Sequence, residues 1–289
     1  MNLKDKTKGI PKIYLLNLKE REDRLEIMET QFEKYKINNY EVFNASKYTP
    51  KNFEEWNSKL IYDFDVDNSP YYIKIYMGIM LSWFQIIEKW LTDTNDPYMI
   101  MLEDDYNLSP IEHWHFDWEY LMDNIPYDWD SIQLGFENTN LYPCFLHPTL
   151  RTSGTGAWMI NRPYAHKLLR LHKKENRLNI CNKDYKLSSY VMKSYDCYGD
   201  LKEFPWLQPN YAIVKNGKNY CAPLLYVSSG LGRSNYKNAN GHPVFKVIEE
   251  ACLLWWTEKR DQYTLDDFFT YGKPNDLVFR IRGDKIVNR

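Results

Sequence analysis

The stretch from Pro97 to Pro110, Pro-Tyr-Met-Ile-Met-Leu-Glu-Asp-Asp-Tyr-Asn-Leu-Ser-Pro, constrains the fold more than any other part of the chain. Tyr98 to Leu102 is an apolar run of strand length. An unbroken run of this kind reads as a strand covered on both faces. Glu103, Asp104 and Asp105 follow at once, where such a strand leaves its sheet. Open α/β sheets bind ligands just beyond the carboxyl ends of their strands. Three adjacent carboxylates repel one another, so a cation or hydrogen-bond donors must neutralise them. Along an extended chain Glu103 and Asp105 share one side and Asp104 faces the other. Oxygen ligands of this type suit Mn²⁺ or Mg²⁺, which take one or two carboxylates together with substrate phosphates. A solvated acidic turn, capping a helix that starts near Ser109-Pro110, is the alternative.

Around this stretch the pattern alternates. Lys12 to Leu18 predicts a strand after Pro11, and Glu20 to Tyr35 a helix with Leu25, Met28 and Phe32 on one face. Tyr40 to Ala45 predicts a second strand, so the chain opens as a βαβ unit with a parallel sheet. Ser46 to Pro70 lacks a clear period and reads as a loop or irregular insertion. Tyr72 to Leu91 predicts a helix buried on most sides. Pro110 to Met122 predicts a helix with proline in its first turn. His113 and His115 lie on it, two apart and so on different faces, which argues against a metal pair. Trp129 to Gly135 and the segment ending at Asn161 predict further strands, and Pro163 to His172 a helix. Asn216-Gly217 signals a hairpin between Tyr211–Val214 and Tyr220–Val227. Pro243 to Trp256 predicts a helix and Leu277 to Arg282 a strand. With no repeat and no linker, residues 1–289 read as one domain.

Several classes are disfavoured. A net charge of −2 leaves no electrostatic footprint for nucleic acid. The best apolar stretch, Ile73 to Trp90, is broken by Lys74, Gln85, Glu88 and Lys89, so no membrane span is expected. The first residues lack the apolar core of a signal peptide. Five cysteines, odd in number and with no Cys-x-x-Cys pair, read as reduced thiols of an intracellular protein. Ser153-Gly-Thr-Gly156 and Ser229-Gly-Leu-Gly232 are neither a Walker A loop nor a dinucleotide fingerprint. Their small residues would nevertheless let backbone N–H groups approach a diphosphate. Arg21 and Arg24, just after the first strand, lie within reach of the same phosphates.

An ordered set of motifs resembles glycosyltransferase family 25. It comprises Ile13-Tyr-Leu-Leu-Asn-Leu-Lys-Glu-Arg-Glu-Asp-Arg24, Asn44-Ala45, Gly78 with Leu81-Ser82, and Leu102-Glu-Asp-Asp105. Trp129-Asp130, Leu134-Gly135, Gly154-Thr-Gly-Ala157, Ala165 and Leu168-Leu169 extend it. The similarity covers about residues 10–235, which leaves 236–289 as a C-terminal extension. The sequence departs from the family pattern at Trp83, where a histidine is usual, and at Tyr76, where an acid is common.

The resemblance implies an α/β fold of the GT-A type, a nucleotide-binding sandwich with a mostly parallel central sheet flanked by helices. It implies an inverting transferase that moves a hexose, galactose in preference to glucose, from a UDP-sugar to a hydroxyl acceptor. Asp105 and Glu103 are the implied metal ligands, for Mn²⁺ or Mg²⁺. Asn17, Leu18, Arg21, Arg24, Glu103, Asp104, Gly154, Thr155 and Ser229 are the implied donor-binding residues. Asp184 is the implied catalytic base or acceptor anchor, with an N-cap as its plainer alternative. The acceptor is a saccharide or the hydroxylysine of a collagen-like protein, and the expected location is cytoplasmic or inside a host cell. A catalytically silent sugar-nucleotide or glycan binder on the same fold is the competing function, and a metal-dependent phosphatase or nuclease a third.

Overall fold

The computed structural model describes residues 2–63, 65, 66, 68, 71–135, 141–143, 146–148, 156–181, 209–214, 216–228, 243–259, 261, 264–269, 278–282 and 285–287. A short helix α1 (Leu3–Lys6) precedes β1 (Ile13–Asn17), α2 (Glu22–Lys34) and β2 (Tyr40–Asn44). The chain continues through α3 (Phe53–Lys59), β3 (Leu60–Ile61) and the long α4 (Tyr71–Asp93) into β4 (Tyr98–Glu103). After a two-residue turn come β5 (Tyr106–Asn107), α5 (Trp118–Asn124), β6 (Ser131–Gly135), β7 (Leu141–Pro143), β8 (His147–Pro148), β9 (Ala157–Asn161) and α6 (Arg162–His172). The rest comprises β10 (Lys173–Lys174), β11 (Arg177–Asn179), α7 (Pro209–Val214), β12 (Asn219–Val227), α8 (Pro243–Leu254), α9 (Leu265–Phe269), β13 (Val278–Arg282) and β14 (Lys285–Val287).

The central sheet has the order β2-β1-β4-β9-β6-β12-β5, with β8 also paired to β12. β2, β1, β4, β6 and β12 run in one direction, while β9 and β5 run against them. It is therefore a mixed α/β sheet that is mostly parallel and flanked by helices, as the opening βαβ pattern implied.

Strand alternation explains why β1 from Ile13 to Leu16 and β4 from Met99 to Leu102 are apolar at every position. Ile13, Leu15, Ile100 and Leu102 face one core with Met28 and Phe32 of α2. Tyr14, Leu16, Met99 and Met101 face a second core with Ile87 and Trp90 of α4. A residue that points either way from these strands is buried. Trp83, the departure from the family pattern, belongs to this second core at 1% exposure, so its indole serves packing. Arg162 closes the same layer: its guanidinium donates to the carbonyls of Asp96 and Thr94 near the end of α4 and stacks over Trp90.

Several expectations need correction. The span Ser46 to Pro70 holds a 3₁₀ turn (Pro50–Asn52), α3 and β3 rather than irregular chain alone. Pro110 to Met122 is not one helix. A 3₁₀ turn covers Ser109–His113, and α5 then starts afresh because Asp117 accepts from the Tyr120 N–H as an N-cap. Trp114 and Phe116 in the break enter the core. The expected hairpin at Asn216-Gly217 does not form. Pro209–Val214 is helical, and β12 pairs in parallel with β6. Gly217 is needed for space instead, since a Cβ there would lie 2.5 Å from the Tyr164 ring.

The C-terminal segments pack on this frame. β13 pairs with β7, Leu146 N–H donates to Phe268 O, and Trp256 Nε1 donates to Pro223 O at 3.0 Å. No helix of the described residues is long and apolar enough to cross a membrane.

Candidate active site

β1 and β4 lie side by side in parallel, with Leu16 level with Glu103, so their carboxyl ends open together. β4 ends at Glu103, and Asp104 and Asp105 form the turn into β5. Because extended chain stops there, the alternation expected for the three acids lapses. Asp104 and Asp105 both face Arg24 of α2, at 2.7 and 3.8 Å from Nη1. This corrects the placement of Asp105 with Glu103 and opposite Asp104.

Asp104 is fully engaged. Its Oδ1 accepts from Arg24 and its Oδ2 accepts from Asn17 Nδ2 at 2.8 Å. The same Asn17 amide also donates to Arg21 O at 3.1 Å, and Arg21 N–H donates to Leu18 O. The turn Leu18–Arg21 after β1 is thereby fixed against the acids. Arg24 is buried and faces the carboxylates rather than solvent. Arg21 is held differently: Nε and Nη2 donate to the two oxygens of Asp23, each at 2.8 Å. That bidentate pair draws the Asp23 carboxyl down to about 2.

Asp105 keeps spare valence. Its side chain is 26% exposed, yet its Oδ1 is buried with no hydrogen-bond partner. Burial pushes its carboxyl up from 3.8 to about 6, reinforced by Asp104 and opposed by Arg24. A buried acceptor oxygen without a donor fits a cation, which needs lone pairs and brings positive charge. No cluster of three or more His, Cys, Asp or Glu side chains that could hold a metal exists among the described residues. Such a site suits an ion that completes its shell on substrate phosphates rather than a closed protein cage.

Neighbouring strands staple the acid turn. Asp105 O accepts from Ser228 N–H at 2.8 Å, and β5 pairs with the end of β12. Glu103 N–H donates to Gly156 O at 2.7 Å. Tyr106, next after the acids, is completely buried between two glycines. A Cβ on Gly135 would come within 2.2 Å of its ring, and one on Gly156 within 2.1 Å. These glycines make room for an aromatic ring that anchors the turn. Gly156→Ala should therefore lower stability by about 1–3 kcal/mol as an overpacking change. Urea denaturation checks this, and an unchanged midpoint would show that the ring has room to move.

Asn17, Leu18, Arg21, Arg24, Glu103, Asp104 and Asp105 thus gather at one end of the sheet. Gly154, Thr155, Asp184 and Ser229 lie outside the described residues. Asp23 was missed because an i, i+2 acid–base pair has no distinctive pattern. Gln31 was missed too. Its amide donates to Tyr106 O and accepts from Leu108 N–H, which pins the segment after the acids to α2. No sequence signal announces that pairing.

Residues 10–185 match the family model described as Glycosyltransferase family 25 (LPS biosynthesis protein). Among solved structures, the glycosyltransferase GlyE of Streptococcus pneumoniae TIGR4 is similar at 9% identity and a TM-score of 0.28, over 91% of this chain. The chain spans 65% of that protein, less than two thirds of its length. No curated protein matches the chain.

Proposed function

The chain belongs to glycosyltransferase family 25, and from that premise we propose that it is a metal-dependent, inverting hexosyltransferase. The donor is a UDP-sugar, with galactose favoured over glucose, and the acceptor is a hydroxyl of a saccharide or of hydroxylysine in a collagen-like protein. The orphaned Oδ1 of Asp105 beside the engaged Asp104 carries this proposal. Asp105, with Glu103 in support, would hold Mn²⁺ or Mg²⁺ against the diphosphate. The ion supplies Lewis-acid stabilisation of the departing phosphate charge.

The chain's own residues divide the remaining work. Arg24 and Asn17 fix Asp104 and so set the pose of the whole turn. Arg21, oriented by Asp23 and set on the turn after β1, is the cation that seats the phosphates from the side. Leu18 lines that turn. Gly154, Thr155 and Ser229 stay proposed as donor contacts, and Asp184 as the acceptor-hydroxyl base or anchor. Residues 1–289 are proposed to act as one domain, with 236–289 as an integral extension.

Two measurements test the proposal. Incubation with UDP-hexoses and Mn²⁺ should release UDP slowly without acceptor, fastest with the true donor sugar. Affinity without turnover would favour the silent binder, and cleavage of simple phosphate esters would favour a phosphatase. Arg21→Ala should weaken UDP binding about tenfold with little change in thermal stability, since its partner Asp23 is exposed and such pairs add at most about 1 kcal/mol. An unchanged UDP dissociation constant would return Arg21 to a solvated surface role.

A further inference from the structure

The loop after β2 is locked into a notch on α4, and we propose that Gly78 and Ser82 are positioning residues that set the rim of the donor site through this lock. The functional part of this inference rests on the donor proposal above. Ser82 is completely buried, and its hydroxyl accepts from Ser46 N–H and donates to Gly78 O, both at 2.7 Å. Ser46 Oγ adds a bond to Gln85 Oε1, three residues further along α4. Gly78 makes the approach possible, because a Cβ there would lie 2.4 Å from Ser46 O. Backbone therefore lies directly on helix backbone at this point.

The lock reaches the site through two short links. One residue before Ser46, Ala45 N–H donates to Asn17 O at 2.8 Å. Asn17 in turn holds Asp104 and the carbonyl of Arg21. One residue after Ser46, Lys47 is ion-paired with Glu20. The turns 18–21 and 45–47 thus form one rim beside the acids, with α4 as its backing. Neither Gly78 nor Ser82 is among the groups gathered at the acid turn, so any effect they have on the donor passes through the rim.

Helix propensity separates this role from plain packing. Gly78→Ala should strengthen α4 as a helix, yet the new methyl must displace the Ser46 carbonyl. Ser82→Ala removes the bond to Ser46 without adding bulk. The two variants perturb the same loop by opposite means, and only Ser82→Ala removes a hydrogen-bonding group. The experiment compares the full-length wild type with both variants by amide hydrogen exchange and by UDP titration in Mn²⁺. Faster exchange at Ala45 and Arg21, with UDP affinity about tenfold weaker in both, is the expected result. Exchange raised only at Ser46, with UDP affinity unchanged, would overturn the inference. A wild type that takes no UDP would defeat the donor proposal alone, and exchange at Ala45 and Arg21 would then decide the lock. Should Ser82→Ala fail to fold, Gly78→Ala carries the same comparison.

Discussion

Asp105→Asn should lose transfer activity by two or more orders of magnitude while gaining stability at neutral pH. The loss corresponds to about 3 kcal/mol, the usual scale for removing one preorganised electrostatic contact. The gain follows from linkage. Asp105 titrates at about 6 in the folded protein against 3.8 ordinarily, so the folded state holds its proton more tightly than the unfolded chain does. Stability therefore falls as pH rises between those values, and the full penalty stands above about pH 6. Asparagine removes that penalty, on the order of 3 kcal/mol, at pH 7.5 and has little to remove near pH 4. Thermal melts of both proteins at the two pH values check this. Equal melting behaviour at pH 7.5 would mean the carboxylate is not strained by burial, and full activity would remove it from the site.

Arg24→Met should be the most destabilising single change at the site, by about 3–5 kcal/mol at pH 7.5. The methionine fills the space but leaves Asp104 buried without its cation, with Asp105 adjacent. Asp105 then loses the Arg24 charge that opposes its rise, so its protonation relieves part of the deficit as pH falls toward 4. The urea midpoint of the variant should lie closer to the wild type at pH 4.5 than at pH 7.5. A deficit of equal size at both would assign Arg24 a packing role only.

The parts visible in the sequence were those where one physical rule dominates. β1 and β4 are buried on both faces, so their apolar runs marked them, and the acids fell at the strand end because nothing else separates Leu102 from the turn. Long-range pairings left no such mark. Arg24 reads as an exposed helix arginine until α2 is laid against the acid turn. Gly135 read as the end of a strand and Gly156 as part of a glycine-containing turn, yet the space both leave is filled by the Tyr106 ring, visible only in three dimensions. Gly217 misled in the same way, since space for Tyr164 and not a hairpin explains it. The helix expected over Pro110 to Met122 failed because Asp117 offers a better N-cap than a continuing turn.

Calorimetric titration of UDP into the protein, with Mn²⁺ and then with excess chelator, tests the account most directly. If the acid turn joins a cation to the donor diphosphate, UDP should bind at least tenfold more tightly with Mn²⁺, and Asp105→Asn should lose that enhancement while keeping the metal-free affinity. Equal UDP affinity with and without the ion, or an enhancement that survives in Asp105→Asn, would contradict it.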